Sequence, residues 1–229
     1  MRKRITIIAI FLLGSATAAC SGVSGKLQGN SDQPPSRSKS AIRQVDFRNL
    51  SYPKLPTGKC SLEVIHLRDG KYKAPEEWAP DRTSSVGCWA VTLGQVDYGD
   101  VTGDGIEEAI VTLYAEMGGT ESSQDVYIYT SQGGEPVLLW RFATGDRAGG
   151  GERRIAAENG ALVIELFGVG AVIGRDLYGT EDVPDCCPEH FTRTRYKWVG
   201  SKFQQDGPEE VFPNPTGNAI PVSSPSPMR

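Results

Sequence analysis

Histidine is nearly missing: only His66 and His190 occur in 229 residues, so imidazole acid–base chemistry has two places to occur at most. Neither sits in a nucleophile motif such as Gly-x-Ser-x-Gly, and His190, after Cys186-Cys187-Pro188-Glu189, reads as a loop residue. No excess of positive charge exists. With 24 Lys and Arg against 28 Asp and Glu, the net charge is −4, which gives nucleic acid no electrostatic footing. Helical periodicity is also lacking. The apolar run Ile5 to Leu13 is too short for a mature membrane-spanning helix, which needs about 20 apolar residues. The adjacent pair Cys186-Cys187 is not the Cys-x-x-Cys spacing of a zinc site.

What is present begins with an address. Arg2-Lys3-Arg4, an apolar run and the small residues Gly14 to Ala19 lead into Cys20, the order of a bacterial export signal. Residues 1–19 are expected to be removed. Cys20 after Ala18-Ala19 looks like a lipobox cysteine that becomes the acylated N-terminus, with Thr17 where Leu is usual; simple cleavage at Ala16-Thr17-Ala18 is the plainer alternative. Residues 20–42 are rich in Gly, Ser, Asn, Gln and Pro and read as a flexible tether. Residues 207–229 read as a disordered Pro-rich tail. Between them, residues 43–206 are long enough for one domain with its own core.

In that domain apolar residues alternate with period two, interrupted by Gly-containing turns about every ten residues, which argues for strands. The expected fold is all-β: a mostly antiparallel meander of about ten short strands, in a sandwich, barrel or propeller-like arrangement, containing disulfides. Strands are expected at 45–50, 61–67, 89–96, 108–115, 125–130, 137–143, 153–157, 162–167, 192–199 and 202–205. Hairpin turns are expected at 68–71, 131–135, 158–161 and 199–202, with Asn159-Gly160 the strongest signal. Apart from Cys20, the cysteines Cys60, Cys88, Cys186 and Cys187 are even in number, which in an oxidising compartment implies two bridges. Of three connectivities, the preferred ones join Cys186 and Cys187 to different strands, because a bond between neighbours would be strained.

The chemistry concentrates between Asp97 and Val111. Numbering a calcium loop from Asp100 places oxygen ligands at Asp100, Thr102, Asp104, the Ile106 carbonyl and Glu108, with Gly105 at the sharp turn. Val111 stands where the bidentate Glu of an EF-hand belongs. An acidic turn without an ion is the simpler reading, since Gly-Asp-Gly is good turn chemistry by itself. The stretch resembles the shorter Asp-Gly-Asp-Gly loop of FG-GAP/VCBS-type extracellular repeats, with Glu108 in the last acidic place. Structural calcium is the one cofactor expected.

Other candidates are weaker. The run Thr144-Gly-Asp-Arg-Ala-Gly-Gly-Gly-Glu-Arg-Arg154 could hold an anion on amides and on Arg147, Arg153 and Arg154, but lacks Walker spacing and a following helix pattern. A charged-edged loop is the simpler account. Paired carboxylates for hydrolysis are not legible without distances. Trp78, Trp89, Trp140 and Trp198, with Tyr127, Tyr129, Tyr178 and Tyr196, are enough to line a recognition surface; most read as core, Tyr127 and Tyr129 sharing one strand face as do Tyr196 and Trp198, whereas Trp78, between Pro75 and Pro80, reads as exposed.

Taken together, Tyr98-Gly-Asp-Val-Thr-Gly-Asp-Gly-Ile-Glu-Glu-Ala-Ile-Val, Asp125-Val-Tyr-Ile-Tyr, Asp185-Cys-Cys-Pro and Tyr196-Lys-Trp-Val-Gly-Ser-Lys-Phe203 resemble the bacterial LppP/LprE-type lipoproteins over most of residues 90 to 205. That resemblance implies an anchored extracytoplasmic domain of the cell envelope and supplies no catalytic residues. The expected function is therefore a lipid-anchored binding or envelope-associated module, tied to the membrane through Cys20 and facing a protein or envelope ligand, rather than an enzyme. The alternatives are an extracytoplasmic hydrolase built from separated carboxylates and the Gly-rich loop, or a purely structural envelope protein.

Overall fold

A computed structural model of the chain describes residues 40–56, 60, 62–74, 88–116, 122–145, 149–174 and 188–215, all within the compact unit Arg37–Arg229. Among the described residues there is no α-helix. The described residues form twelve strands: β1 Ser51–Pro53, β2 Val64–His66, β3 Lys71–Lys73, β4 Ala90–Gly99, β5 Glu108–Glu116, β6 Ser122–Gln132, β7 Glu135–Ala143, β8 Glu152–Ala157, β9 Leu162–Phe167, β10 His190–Trp198, β11 Phe203–Gln205 and β12 Glu210–Pro213. All pairings are antiparallel, as expected of a meander.

Two five-stranded sheets carry the domain. The first runs β3-β4-β5-β6-β7; the second runs β11-β10-β9-β8, with β12 also paired to β10, and β1-β2 forms a small separate ribbon. Period-two alternation explains how the layers stack, because successive side chains of a strand point to opposite faces. In β5, Ala109, Val111, Leu113 and Ala115 join a core with Ile42, Phe47, Tyr52, Leu55 and Ile65 from the N-terminal segment. Ile110, on the other face, joins Val126, Ile128, Phe142, Ile155, Leu162, Ile164 and Leu166 between the two sheets. The first sheet is thus covered on both faces, and the arrangement is a sandwich with an N-terminal cap. Tyr52 packs edge-on against Tyr127 and Tyr129, whose rings stack on each other, and the Tyr127 hydroxyl donates to the Pro53 carbonyl at 2.8 Å. Burial raises the titration range of all three phenols.

The hairpins fall where the turn residues put them. At Asn159-Gly160 both φ values are positive, 50° and 69°, and Glu158 and Ala161 exchange backbone bonds across the turn, the geometry an Asn-Gly pair favours. Gly160 has a second reason to lack a side chain: a Cβ there would stand 2.9 Å from the Gly103 Cα. The turn of the second sheet therefore rests against the loop that follows β4.

Three expectations change. Residues 45–50 are not a strand; Ala41–Gln44 and Phe47–Asn49 are 3-10 turns, because the Asp46 carboxylate accepts from the Arg48 N–H and the Asn49 side chain and competes locally with a ladder. The domain continues past residue 206, since β12 pairs with β10 and the Asn214 backbone and side chain bond to the carbonyls of Glu189 and Pro188. Cys60 and Cys88 are bonded to each other, so the preferred connectivity to Cys186 and Cys187 is overturned. Both cysteines are buried in the core beneath the N-terminal cap, with Cα atoms 5.0 Å apart. Cys186, Cys187, Cys20, Trp78 and Arg147 lie outside the described residues.

Candidate functional site

The loop from Asp100 to Glu108 joins β4 to β5 and is built around one carboxylate. Asp100 accepts from the N–H groups of Thr102 at 3.2 Å, Gly103 at 2.6 Å and Gly105 at 2.9 Å. Gly103 and Gly105 have φ of 80° and 84°, which lets successive amides point inward. Asp104 accepts from the Ile106 N–H at 2.8 Å, leaving Ile106 exposed.

Glu108, where β5 begins, is only 1% exposed. Its carboxyl accepts from the Val101 N–H at 3.1 Å and from the Thr130 hydroxyl at 3.4 Å. Burial pushes it up to about 7; these two bonds oppose the shift, and the nearby charges of Asp104 and Asp100 add to it. Glu107 points elsewhere: Arg43 grips it bidentately at 2.7 and 2.8 Å while lying over the Tyr98 ring. Glu107 therefore adds little uncompensated charge to the loop. Asp97 accepts from the Gln95 amide at 2.6 Å. The Thr102 hydroxyl is buried without a hydrogen-bond partner, an arrangement that costs free energy unless something supplies one.

These observations test the calcium expectation. The orphan Thr102 oxygen and a buried Glu108 that no Lys or Arg among the described residues reaches both suit an added cation. Against this, among the described residues no three His, Cys, Asp or Glu side chains gather closely enough to hold a metal ion. The loop is closed by amide bonds to Asp100, and its carboxylates are not drawn together as the sequence reading required.

A second polar locus was not legible in the sequence. A cleft of about 400 Å³ lies between β4 and β8, lined by Gln95, Asp97, Ile110, Glu152, Ile155 and Ala156 among others. Asp97 is in register with Ile110, whose side chain belongs to the core between the sheets, so Asp97 faces the second sheet. Glu152 reaches the same space from the edge strand β8 and accepts from the Thr112 hydroxyl at 3.4 Å. Burial pushes its carboxyl up to about 7; the Thr112 bond opposes this and Asp97 adds to it.

Arg153 and Arg154 of the Gly-rich run belong to β8. A bulge between Glu152 and Arg154 sends the guanidiniums to the outer face of the second sheet. There Arg153 bonds to Glu165 and Arg154 to Glu158, while Arg193 grips Glu165 at 2.6 and 2.9 Å. Arg153 also lies 3.9 Å over the Phe191 ring. The anion-binding reading of this run is thereby weakened, because Arg153 and Arg154 are already spent on carboxylates of the chain itself. His66 shares a 2.7 Å contact with the Ser51 hydroxyl, and His190 is an exposed residue opening β10 rather than a loop residue. Trp140 and Trp198 pack against the core between the sheets. Comparison with protein-family models, with curated proteins and with solved structures gives no match.

Proposed function

We propose that the chain is an extracytoplasmic, lipid-anchored binding or envelope-associated module. The observation that supports this reading best is the buried Cys60–Cys88 disulfide, because such bonds persist in oxidising compartments. It agrees with the basic, apolar and small-residue order that ends in Cys20. Acyl chains on Cys20 would hold the protein at the membrane, and residues 21–39 would let the domain stand off from it. The test is Cys20→Ser: the wild-type protein should enter the detergent phase on phase partitioning, and the variant should be soluble or unprocessed. An intact mass showing an unmodified Cys20, or a start elsewhere, sinks the lipoprotein reading.

Within this module the Asp100 loop would take a structural Ca²⁺. Asp100, Asp104, Glu108, the Thr102 hydroxyl and the Ile106 carbonyl would hold it, and the ion would supply the charge that buried Glu108 lacks. Its role would be stability rather than chemistry.

A second reading, an extracytoplasmic hydrolase, draws support from one observation. Glu152, with its raised carboxyl, shares a cleft with Asp97, and two carboxyl groups in one cleft are the minimal equipment for acid–base hydrolysis. Turnover of a glycoside that disappears in Glu152→Gln would favour it over the binding module.

A further inference from the structure

We infer that the cleft between β4 and β8 is a binding site for a saccharide, a neutral polyhydroxylated ligand with an apolar ring face. This rests on the reading of the chain as an extracytoplasmic binding module and names the ligand class.

The argument starts from how the cleft is walled. Among the described residues, β3 pairs with β4 only from Ala90 to Thr92, and β8 ends its sheet. Two strand margins therefore face each other across the gap. They converge at one end, where a Cβ on Gly99 would stand 2.4 Å from the Ala157 Cβ, and the cleft is lined from Gln95 on one side and Glu152 on the other. Gln95 and Asp97 from β4 and Glu152 from β8 supply the polar groups; Ala156 and Ala157, with the edges of the nearly buried Ile110 and Ile155, supply the aliphatic surface. Ligand sites commonly pair an apolar surface with a few placed polar groups.

The polar groups select the ligand. Gln95 gives one N–H to Asp97, which leaves its amide carbonyl and second N–H to meet a ligand, and orients the Asp97 carboxylate as an acceptor. Glu152 offers a further acceptor, or a donor when protonated. Such a set both accepts from hydroxyls and donates to them, as a sugar edge demands. Arg153 and Arg154 border the cleft, but their guanidiniums are bonded to Glu165 and Glu158, so an anionic ligand finds no unclaimed cation there. A metal ion is poorly served, since among the described residues no three suitable side chains gather. An organic cation would meet only Asp97, already bonded to Gln95, and a Glu152 reluctant to ionise.

The experiment is amide-resolved NMR titration of the full processed chain in detergent micelles. The soluble probes are maltose, cellobiose and N,N′-diacetylchitobiose, with putrescine as the cationic control; sedimentation with isolated cell-wall glycan distinguishes a polymer source from a free saccharide. At least one saccharide probe should bind saturably, with a Kd on the order of 0.1–1 mM, and its shifts should centre on residues 95–98 and 152–157. Asp97→Ala and Gln95→Ala should each weaken binding about tenfold, the effect of losing one placed polar partner, while Lys197→Ala on the outer face leaves it unchanged. Comparable melting curves would show that the variants fold. Binding of putrescine alone, no binding of any glycan, or saccharide binding that survives both cleft variants would overturn the inference. Detergent partitioning through Cys20 is read separately, so failure here is distinguishable from failure of the anchored-module reading.

Discussion

Two buried glutamates in this domain are treated in opposite ways. Glu165, 1% exposed in the middle of β9, is met by Arg153, by Arg193 at 2.6 Å and more distantly by Arg154 at 3.9 Å. Glu108, equally buried at the start of β5, is given a backbone N–H, a hydroxyl and two acidic neighbours. A buried carboxylate is tolerated when cations of the chain surround it and otherwise rises toward its neutral form. The contrast separates a charge completed within the fold from one left open to completion from outside.

The same isosteric change should therefore act unequally at the two positions. Glu165→Gln leaves Arg153 and Arg193 without their carboxylate and should cost about 2–3 kcal/mol, below the usual figure for breaking a buried pair because the arginines are partly exposed. Glu108→Gln keeps the volume and removes only a charge the site disfavours, so in chelator it should change stability by less than about 1 kcal/mol. Urea unfolding of both variants measures the difference. Equal losses would break the comparison and make Glu108 as fully satisfied as Glu165.

Glu152 gives the next largest effect. Its carboxyl ionises near 4.5 when unfolded and at about 7 in the fold, so between those values the folded chain holds the proton more tightly. Its contribution to stability should be fullest below about pH 4.5 and fall as pH rises through 7, by about 1–2 kcal/mol once partial solvent access is allowed for. The groups around it are Asp97 on β4, Thr112 on β5 and the outward-turned Arg153 and Arg154. Glu108 contributes a fall of the same sign, so the informative quantity is the slope lost in Glu152→Gln relative to wild type. An unchanged slope would mean that Glu152 is solvated.

How much of this could be read beforehand follows from what each signal reports. Leu162 to Phe167 was placed to the residue because period two and Asn159-Gly160 agree locally. The turns at 41–49 were not, because one Asp46 side chain redirected an apolar run. Lys71–Lys73 and Glu210–Pro213 are too short to stand out, and are held by pairing with β4 and β10. The Asp100 loop was legible as a turn, and the three amides Asp100 accepts from are local to it, but that Arg43 would cancel Glu107 depends on a contact 64 residues apart in the chain. Glu165 did carry a signal: a lone acid inside an apolar strand, with arginines in strands on either side. Glu152 carried none, since nothing in the order of residues brings it to Asp97.

The smallest effect bears most directly on the comparison. If Glu108 is the buried acid completed from outside, calcium should stabilise the fold by the amount mass action allows. The ligand set has one neutral side chain, Thr102, and no bidentate Glu at the last position, so its Kd belongs with extracellular modules, on the order of 10⁻⁴–10⁻³ M. At free calcium about ten times that value the gain is roughly 1.4 kcal/mol, or a melting temperature raised by a few degrees. Drawing Asp104 in from its exposed position costs part of the binding energy, which again argues for weak affinity. Asp104→Ala should lose the calcium-dependent gain and keep the metal-free fold, since the Asp100 amide bonds that close the turn do not involve it. Glu108→Gln should lose the gain as well, whereas Glu165→Gln, although less stable, should keep it. Melting curves that coincide in millimolar calcium and in excess chelator would instead leave Glu108 as an acid the fold carries neutral, with the loop an amide-closed turn around Asp100.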